Sequence, residues 1–135
     1  MHPTKMWALF FLTASNYSLA NSDNSSDCVK HLGGGYGDAQ CYQALSAKLT
    51  EENENIYKEL AKSIPPRSPH ARLLDEYMTS QRRSEKFCDL QRDAGTKWKE
   101  VTDGTMYPAI YEGCIYKLRE SQNSFLKALL EMSRW

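Results

Sequence analysis

Apolar residues recur at helical spacing in three stretches of the sequence, and this pattern predicts three α-helices. The positions of the first stripe lie three or four residues apart: Cys41, Leu45, Leu49, Glu52, Ile56 and Leu60. Asp38 is a suitable N-cap before this stripe, and Pro65 and Pro66 end the helix after it. We therefore expect the first helix over residues 39–62.

The second stripe is helical in period but half polar, with these members: Leu74, Tyr77, Gln81, Ser84, Cys88 and Gln91. Ser68 is expected as its N-cap, with Pro69 at the first helical position, where the missing N–H costs nothing. Four more apolar residues should widen the contact of this helix with the core: Leu73, Met78, Phe87 and Leu90. We expect the helix to end near Ala94, with Gly95 as its C-terminal stop.

The third stripe is the most regular of the three, and it has these members: Tyr111, Cys114, Leu118, Ser121, Phe125, Leu129 and Met132. Pro108 cannot continue a helix from before it, so we expect the third helix over residues 109–132, with this stripe at the centre of the core. No alternating run predicts a strand. Three helices with short links predict one all-α domain, a small antiparallel three-helix bundle in up-down-up order.

The first twenty residues have the pattern of a secretory signal peptide. Lys5 precedes an apolar run over residues 6–14, and the small residues Ser18 and Ala20 suit a cut after Ala20. The run is too short to span a bilayer, which takes about 20 residues. We expect residues 1–20 to be the signal peptide, 21–37 a flexible leader and glycine-rich loop, and 38–135 the helical domain.

The four cysteines of an exported chain predict two disulfides that staple the bundle. Three pairings are possible, and the sequence excludes none of them. We expect Cys28 to pair with Cys41, which ties the leader to the first helix, and Cys88 to pair with Cys114, which links the second and third helices.

The second of these bridges depends on where the second helix ends. In an antiparallel hairpin, Cys88 lies level with Cys114 only if the helix stops near Gly95. A helix that continued to Val101 would offset the two cysteines by about 12 Å, which no disulfide spans. We expect Trp98 to lie in the loop and to cover the bridge.

Charge and composition narrow the class of partner. Residues 21–135 hold 16 of the 17 basic residues and all 17 acidic ones, whereas nucleic acids and anionic lipids select a basic surplus. We therefore expect no nucleic-acid partner, and no membrane anchor once the signal is removed. Only His31 and His70 remain beside the cysteines, and no Cys-x-x-Cys occurs, so no metal or cofactor is expected. No nucleophile or acid–base motif is recognisable, which favours a monomeric binding protein over an enzyme.

Three segments of the chain carry a family resemblance: residues 49–57 (LTEENENIY), residues 80–87 (SQRRSEKF), and Gly104-Thr105 with residues 114–118 (CIYKL). Together with the signal peptide and the cysteine pair at the first helix, they resemble the LprI-type lysozyme-inhibitor family over roughly residues 28–130. The chain departs from that family where Ser84 replaces a tryptophan, Cys88 an arginine, Arg92 a cysteine and Gln122 an arginine. The third cysteine thus stands one helical turn early.

The resemblance implies a periplasmic or secreted envelope protein that inhibits a lysozyme-type peptidoglycan hydrolase. Lysozymes are cationic, so the binding surface should be acidic or aromatic. The candidate residues are Glu51, Glu52, Glu54, Glu59, Tyr107 and Tyr111. The alternative is an envelope accessory protein or a toxin-immunity protein with a different protein partner.

Overall fold

The computed structural model describes residues 28–99 and 104–135, so the predicted signal peptide and residues 21–27 of the predicted leader lie outside the described residues. The described part is helical and contains no strand, which confirms the all-α class. Its elements follow in chain order: a 3₁₀ turn Cys28–His31, α1 Tyr36–Ser63, α2 Pro69–Ser84, a 3₁₀ turn Glu85–Phe87, α3 Cys88–Gly95 and α4 Met106–Met132. None of these helices is long and apolar enough to cross a membrane.

Helix α1 begins three residues earlier than predicted, and its N-cap is Gly35 rather than Asp38. The Asp38 carboxylate instead accepts hydrogen bonds from the backbone N–H groups of Gly33 (2.9 Å) and Gly34 (2.5 Å). A carboxylate in the first turn of a helix also interacts favourably with the helix dipole. Asp38 therefore holds the glycine-rich loop against the helix instead of capping it.

The end of α1 and the start of α2 lie within one residue of the positions predicted from the sequence. Helix α1 ends at Ser63, with Ile64 as its C-cap directly before the two prolines. Helix α2 begins at Pro69, and the hydroxyl of its N-cap Ser68 accepts a hydrogen bond from the backbone N–H of His70 at 3.2 Å. Both ends are set by local chemistry, because proline stops one helix and a capped proline starts the next.

The predicted second helix is divided into α2 and α3 by the 3₁₀ turn Glu85–Phe87. The last helical residue is Gly95, as expected, but Gly95 does not take the left-handed conformation that terminates the helix. Lys97 (φ 56°) takes the left-handed position after the helix, and the N–H groups of Lys97 and Trp98 donate to the carbonyls of Ala94 (3.1 Å) and Asp93 (2.7 Å). This pair of bonds is the Schellman arrangement, which usually places glycine at the left-handed position.

Both predicted disulfides are present. The Cα atoms lie 5.9 Å apart in the Cys28–Cys41 bridge and 5.6 Å apart in the Cys88–Cys114 bridge. The early end of α3 therefore does bring Cys88 level with Cys114. Trp98 lies in the loop, but 69% of its surface is exposed, so the prediction that it is folded over the bridge as an apolar cover is wrong.

Helix α4 begins at Met106, three residues before the predicted start. Pro108 is tolerated there because the first four N–H groups of a helix have no partner within the helix. The prediction that α4 could begin only after Pro108 is therefore wrong.

The helices meet in a consistent order along the chain. Contacts between α1 and α4 advance together: Gln43 with Glu112, Asn53 with Asn123, and Glu59 with Arg134. Contacts of α2 and α3 with α4 run in the opposite order: Met78 with Gln122, Glu85 with Arg119, and Cys88 with Cys114. The apolar core lies where α1, α2 and α4 meet, and its buried members are Ile56, Leu60, Leu74, Met78 and Leu126.

The rotation of α4 differs from the prediction. Its buried residues are Ala109, Arg119, Gln122, Asn123 and Leu126. Of the predicted core stripe, Ser121, Phe125 and Met132 are exposed. Leu73, Phe87 and Leu90 are also exposed, so of the four residues expected to widen the core contact only Met78 is buried.

Candidate functional site

A layer of buried polar side chains lies beside the apolar core. Asn53 of α1 is 1% exposed, and Arg119, Gln122 and Asn123 of α4 are buried as well. Asn53 donates to the Arg119 backbone carbonyl at 3.2 Å and accepts from the Asn123 amide at 2.9 Å. The Gln122 amide donates to the sulfur of Met78 at 3.3 Å. Buried polar groups are stable only with such partners, because burial without them costs several kcal/mol.

Arg119 is the charged member of this layer. Its guanidinium donates to the Gln122 side-chain oxygen at 2.9 Å and forms an ion pair with Glu85, which is partly exposed. Burial lowers the pKa of Arg119, and the nearby charge of Arg82 lowers it further. Arginine is nevertheless charged at any physiological pH, so Glu85 neutralises a buried cation.

The polar layer explains the rotation of α4. Because Arg119, Gln122 and Asn123 must face their partners on α1 and α2, the neighbouring residues Ser121 and Phe125 turn away from the core. Successive residues of a helix are about 100° apart around its axis. If the buried face is centred one residue away from the predicted stripe, the whole predicted stripe therefore turns toward the side of the helix. Phe125 and Leu129 are thereby directed into a surface groove.

This groove lies between the C-terminal end of α1, most of α2 and the C-terminal end of α4, and it encloses about 690 Å³. Its apolar walls are formed by Leu60, Ile64, Leu73, Leu74, Tyr77, Phe125 and Leu129. Its polar rim is formed by Ser63, His70, Glu76, Ser80 and Ser133. A mostly apolar concavity of this size with a few polar groups has the character of a ligand or side-chain pocket.

Two of the wall residues are unusually open to solvent. Leu73 of α2 is 61% exposed and Phe125 of α4 is 47% exposed. The Phe125 ring packs against Tyr77 with ring centroids 4.8 Å apart. Burial raises the pKa of Tyr77, so its phenol stays neutral at physiological pH. The groove therefore offers uncharged aromatic and aliphatic surface.

The polar groups of the rim are held in local contacts. The His70 ring nitrogen Nδ1 lies 2.9 Å from the Ser68 hydroxyl, and Glu76 forms an exposed ion pair with Arg72 at 3.5 Å. Within residues 28–99 and 104–135, no group of three or more histidine, cysteine, aspartate or glutamate residues could hold a metal ion.

The four candidate acids of α1 lie in two different settings. Glu52 forms an ion pair with Lys127 at 2.7 Å, and Glu59 forms one with Arg134 at 3.2 Å, so both face α4. Glu51 and Glu54 are exposed, and Glu54 borders a smaller cavity of about 340 Å³ beside Tyr57.

The two candidate tyrosines lie at the start of α4 and are partly buried. The Arg92 guanidinium lies 5.8 Å from the centre of the Tyr111 ring. Tyr107 packs over Gly104, whose φ of 141° favours glycine, and an added Cβ would lie 3.0 Å from the Tyr107 ring, which would have to shift. Both tyrosines are near the N-terminal end of α1, about 12 Å or more along the axis from the acids at 1.5 Å per residue. The structure therefore does not gather the six candidates into one site.

The groove contains none of the six predicted binding residues. The sequence held two indications of the groove. Leu73 is apolar but lies beside the predicted stripe of its helix, and the helix of Phe125 also carries a polar Arg-x-x-Gln-Asn pattern (residues 119–123). Neither signal reveals the groove alone, because its walls come from three helices.

Comparison with known proteins adds no relative. No protein-family model matches the chain, and no match was found among curated proteins or solved structures.

Proposed function

We propose that this chain is a periplasmic or secreted binding protein that holds another protein through the groove between α1, α2 and α4. The observation that carries this proposal is the exposure of Leu73 and Phe125, which line the apolar groove from two different helices. Exposed apolar surface costs solubility unless a partner covers it, and contiguous patches of this kind mark interaction sites. The two disulfides support the proposed location, since such bridges persist mainly in oxidising compartments outside the cytosol.

The proposed architecture is a small antiparallel three-helix bundle in which α2 and α3 together act as the middle helix. The order of contacts supports it: α1 and α4 pair in the same chain direction, whereas α2 and α3 pair with α4 in reverse. In this arrangement the groove opens at the end of the bundle that α3 does not reach.

The first partner to test is a lysozyme-type peptidoglycan hydrolase, on the basis of the family resemblance of residues 49–57, 80–87 and 114–118. The exposed acids Glu51 and Glu54 would face the cationic surface of such an enzyme. Leu73 and Phe125 would receive an apolar or aromatic side chain of the partner. Buried apolar anchors carry most of the energy at protein interfaces, so the groove is expected to matter more than the acids.

The experiment measures how fast lysozymes clear a suspension of bacterial cell walls with and without the processed chain. Inhibition by the wild type should be lost in Leu73→Ser and Phe125→Ser and retained in Leu90→Ser. Leu73 and Leu90 are exposed to similar extents, 61% and 57%, so both substitutions should leave the fold intact. The double variant Glu51→Gln/Glu54→Gln should weaken inhibition mainly at low salt.

Failure to inhibit any lysozyme would remove that partner from the proposal. Pull-down from an envelope extract would then test binding itself. A different protein retained by the wild type but not by Leu73→Ser would assign the groove to an accessory or immunity function. If Leu73→Ser and Phe125→Ser retain every partner that the wild type binds, the groove is not the binding site.

A further inference from the structure

A second exposed apolar surface lies on α3, away from the groove. Phe87 and Leu90 are each 57% exposed, and Trp98 in the following turn is 69% exposed. Phe87 and Leu90 are three residues apart and lie on the same side of the helical segment, opposite the fully buried Cys88. None of these three residues lines the groove.

Basic residues lie next to these apolar residues along the chain. Lys86 lies beside Phe87, with its Nζ atom 5.3 Å from the ring centre, and Lys97 and Lys99 flank Trp98 in the turn. Arg83 lies one turn before Phe87 and borders the same shallow cavity as Lys86. We call Phe87, Leu90, Trp98 and the three lysines the α3 surface.

The acids among the described residues of this region are engaged in ion pairs. Glu85 forms one with buried Arg119, while Asp89 (2.9 Å) and Asp93 (2.8 Å) share Arg92. Two of these three negative charges are thus balanced and one is not, while no ion pair to a described residue is seen for the three lysines of the α3 surface. Arg83 and the three lysines therefore leave a positive excess beside the aromatic rings.

The backbone holds Trp98 outward by an unusual means. Lys97 and Trp98 both have left-handed conformations (φ 56° and 64°), which residues with side chains rarely adopt. The turn is fixed by the two Schellman bonds and by Thr96, whose buried hydroxyl contacts the carbonyls of Asp93 (2.8 Å) and Lys99 (2.5 Å). Backbone strain of this kind persists only where surrounding contacts impose it, and it concentrates at functional positions.

We propose that the α3 surface docks the protein onto an anionic phospholipid bilayer. Trp98, Phe87 and Leu90 would lie at the depth of the headgroups, where amphipathic aromatic rings are favoured. Lys86, Lys97 and Lys99 would lie near the lipid phosphates, and each lysine near such a surface strengthens binding about fivefold. This proposal departs from the expectation that the near-zero net charge of the whole chain disfavours anionic lipids. A local excess of lysines can act independently of that balance, because charges more than about 8 Å away are screened at physiological ionic strength.

Binding is tested by sedimenting the processed chain with vesicles of phosphatidylglycerol and phosphatidylethanolamine, and in parallel with vesicles of phosphatidylcholine alone. We expect binding to the anionic vesicles, weakened by salt, and little binding to the neutral ones. Replacing Lys86 and Lys97 by glutamine should weaken binding about fivefold for each lysine. The matched control replaces Lys48 and Lys58, two exposed lysines of α1, and should bind as the wild type does.

Tryptophan fluorescence locates the docking surface. Beyond residue 20 the chain has two tryptophans, Trp98 and Trp135, so Trp135→Phe leaves Trp98 as the reporter and Trp98→Phe leaves Trp135. Anionic vesicles should shift the emission of the Trp135→Phe variant to the blue and protect it from acrylamide. They should leave the emission of the Trp98→Phe variant unchanged, although Trp135 is fully exposed.

The proposal is overturned if the wild type fails to bind the anionic vesicles or binds neutral vesicles equally well. It is also overturned if the Trp98 emission does not shift, or if the Lys86/Lys97 variant binds like the Lys48/Lys58 control. Self-association that is lost in Trp98→Ala, without vesicle binding, would assign the surface to a second copy of the chain instead. The groove variants Leu73→Ser and Phe125→Ser should bind vesicles normally, so this test and that of the groove can fail independently.

Discussion

Replacing Glu85 by glutamine should destabilise the protein through the buried cation that Glu85 neutralises. The Arg119 side chain is 6% exposed, and its remaining side-chain contact is the bond to Gln122 at 2.9 Å. Removing one partner of a fully buried ion pair costs about 3–5 kcal/mol. The Glu85 side chain is 39% exposed, so water can partly replace it, and we expect a loss of about 2 kcal/mol.

A double-mutant cycle isolates the cause. Arg119→Met removes the buried charge together with its bonds, and in the Arg119→Met/Glu85→Gln protein no unpaired cation remains. The double variant should therefore be more stable than the sum of the two single effects implies, by about 1–2 kcal/mol. The matched control is Glu76→Gln, whose partner Arg72 is 81% exposed, and it should change stability by less than about 0.5 kcal/mol.

The assay is urea unfolding followed by circular dichroism at neutral pH, with the disulfides intact and the slope compared among variants. Two results would refute the reasoning. One is a Glu85→Gln protein as stable as the Glu76→Gln control. The other is strict additivity in the cycle, which would mean that Arg119 does not depend on Glu85.

Three further predictions concern the core, a bridge and one ionisable pair. Leu126→Ala, at a position with 0% exposure, should cost about 3–5 kcal/mol in the same urea assay. Replacing both Cys88 and Cys114 by alanine should cost about 3.5 kcal/mol, from the loop of 26 residues that the bridge closes, and a loss below about 1 kcal/mol would contradict this. The hydrogen bond to Asp75 (2.6 Å), followed by burial, raises the pKa of Tyr57, so the stability it contributes is present below about pH 10 and is lost as the pH rises through the folded pKa. Phenolate absorbance should show Tyr57 ionising at lower pH in Asp75→Asn.

The sequence alone predicted well those helix ends that depend on neighbouring residues. Ser68 with Pro69 predicted the start of α2, and the proline pair predicted the end of α1. The register count for Cys88 and Cys114 succeeded because the rise of a helix is constant, so the positions of two cysteines limit where their helices can end. The end of α3 was correct although its cause was not, since Lys97 takes the left-handed position that glycine usually occupies.

Only the tertiary structure decided which side of α4 is buried. The stripe with the most apolar residues predicted a core that included Phe125 and Met132, yet Arg119, Gln122 and Asn123 are inside. Their partners on α1 and α2 lie tens of residues away in the sequence, and a periodicity within one helix contains no information about them. A polar residue becomes a core residue only when a distant partner satisfies its hydrogen bonds.

The same physical limit applies to the two surfaces. The number of cysteines and the helical periods predicted an all-α chain with two disulfides and favoured the pairing that the structure shows, because those features depend on spacing within the chain. The groove and the α3 surface depend on which apolar residues are left uncovered after the helices pack, and Leu73, Phe87 and Leu90 all seemed suited to the core. Burial is a property of the assembled molecule, so the exposure of Leu73 at 61% was decided only when α1, α2 and α4 came together.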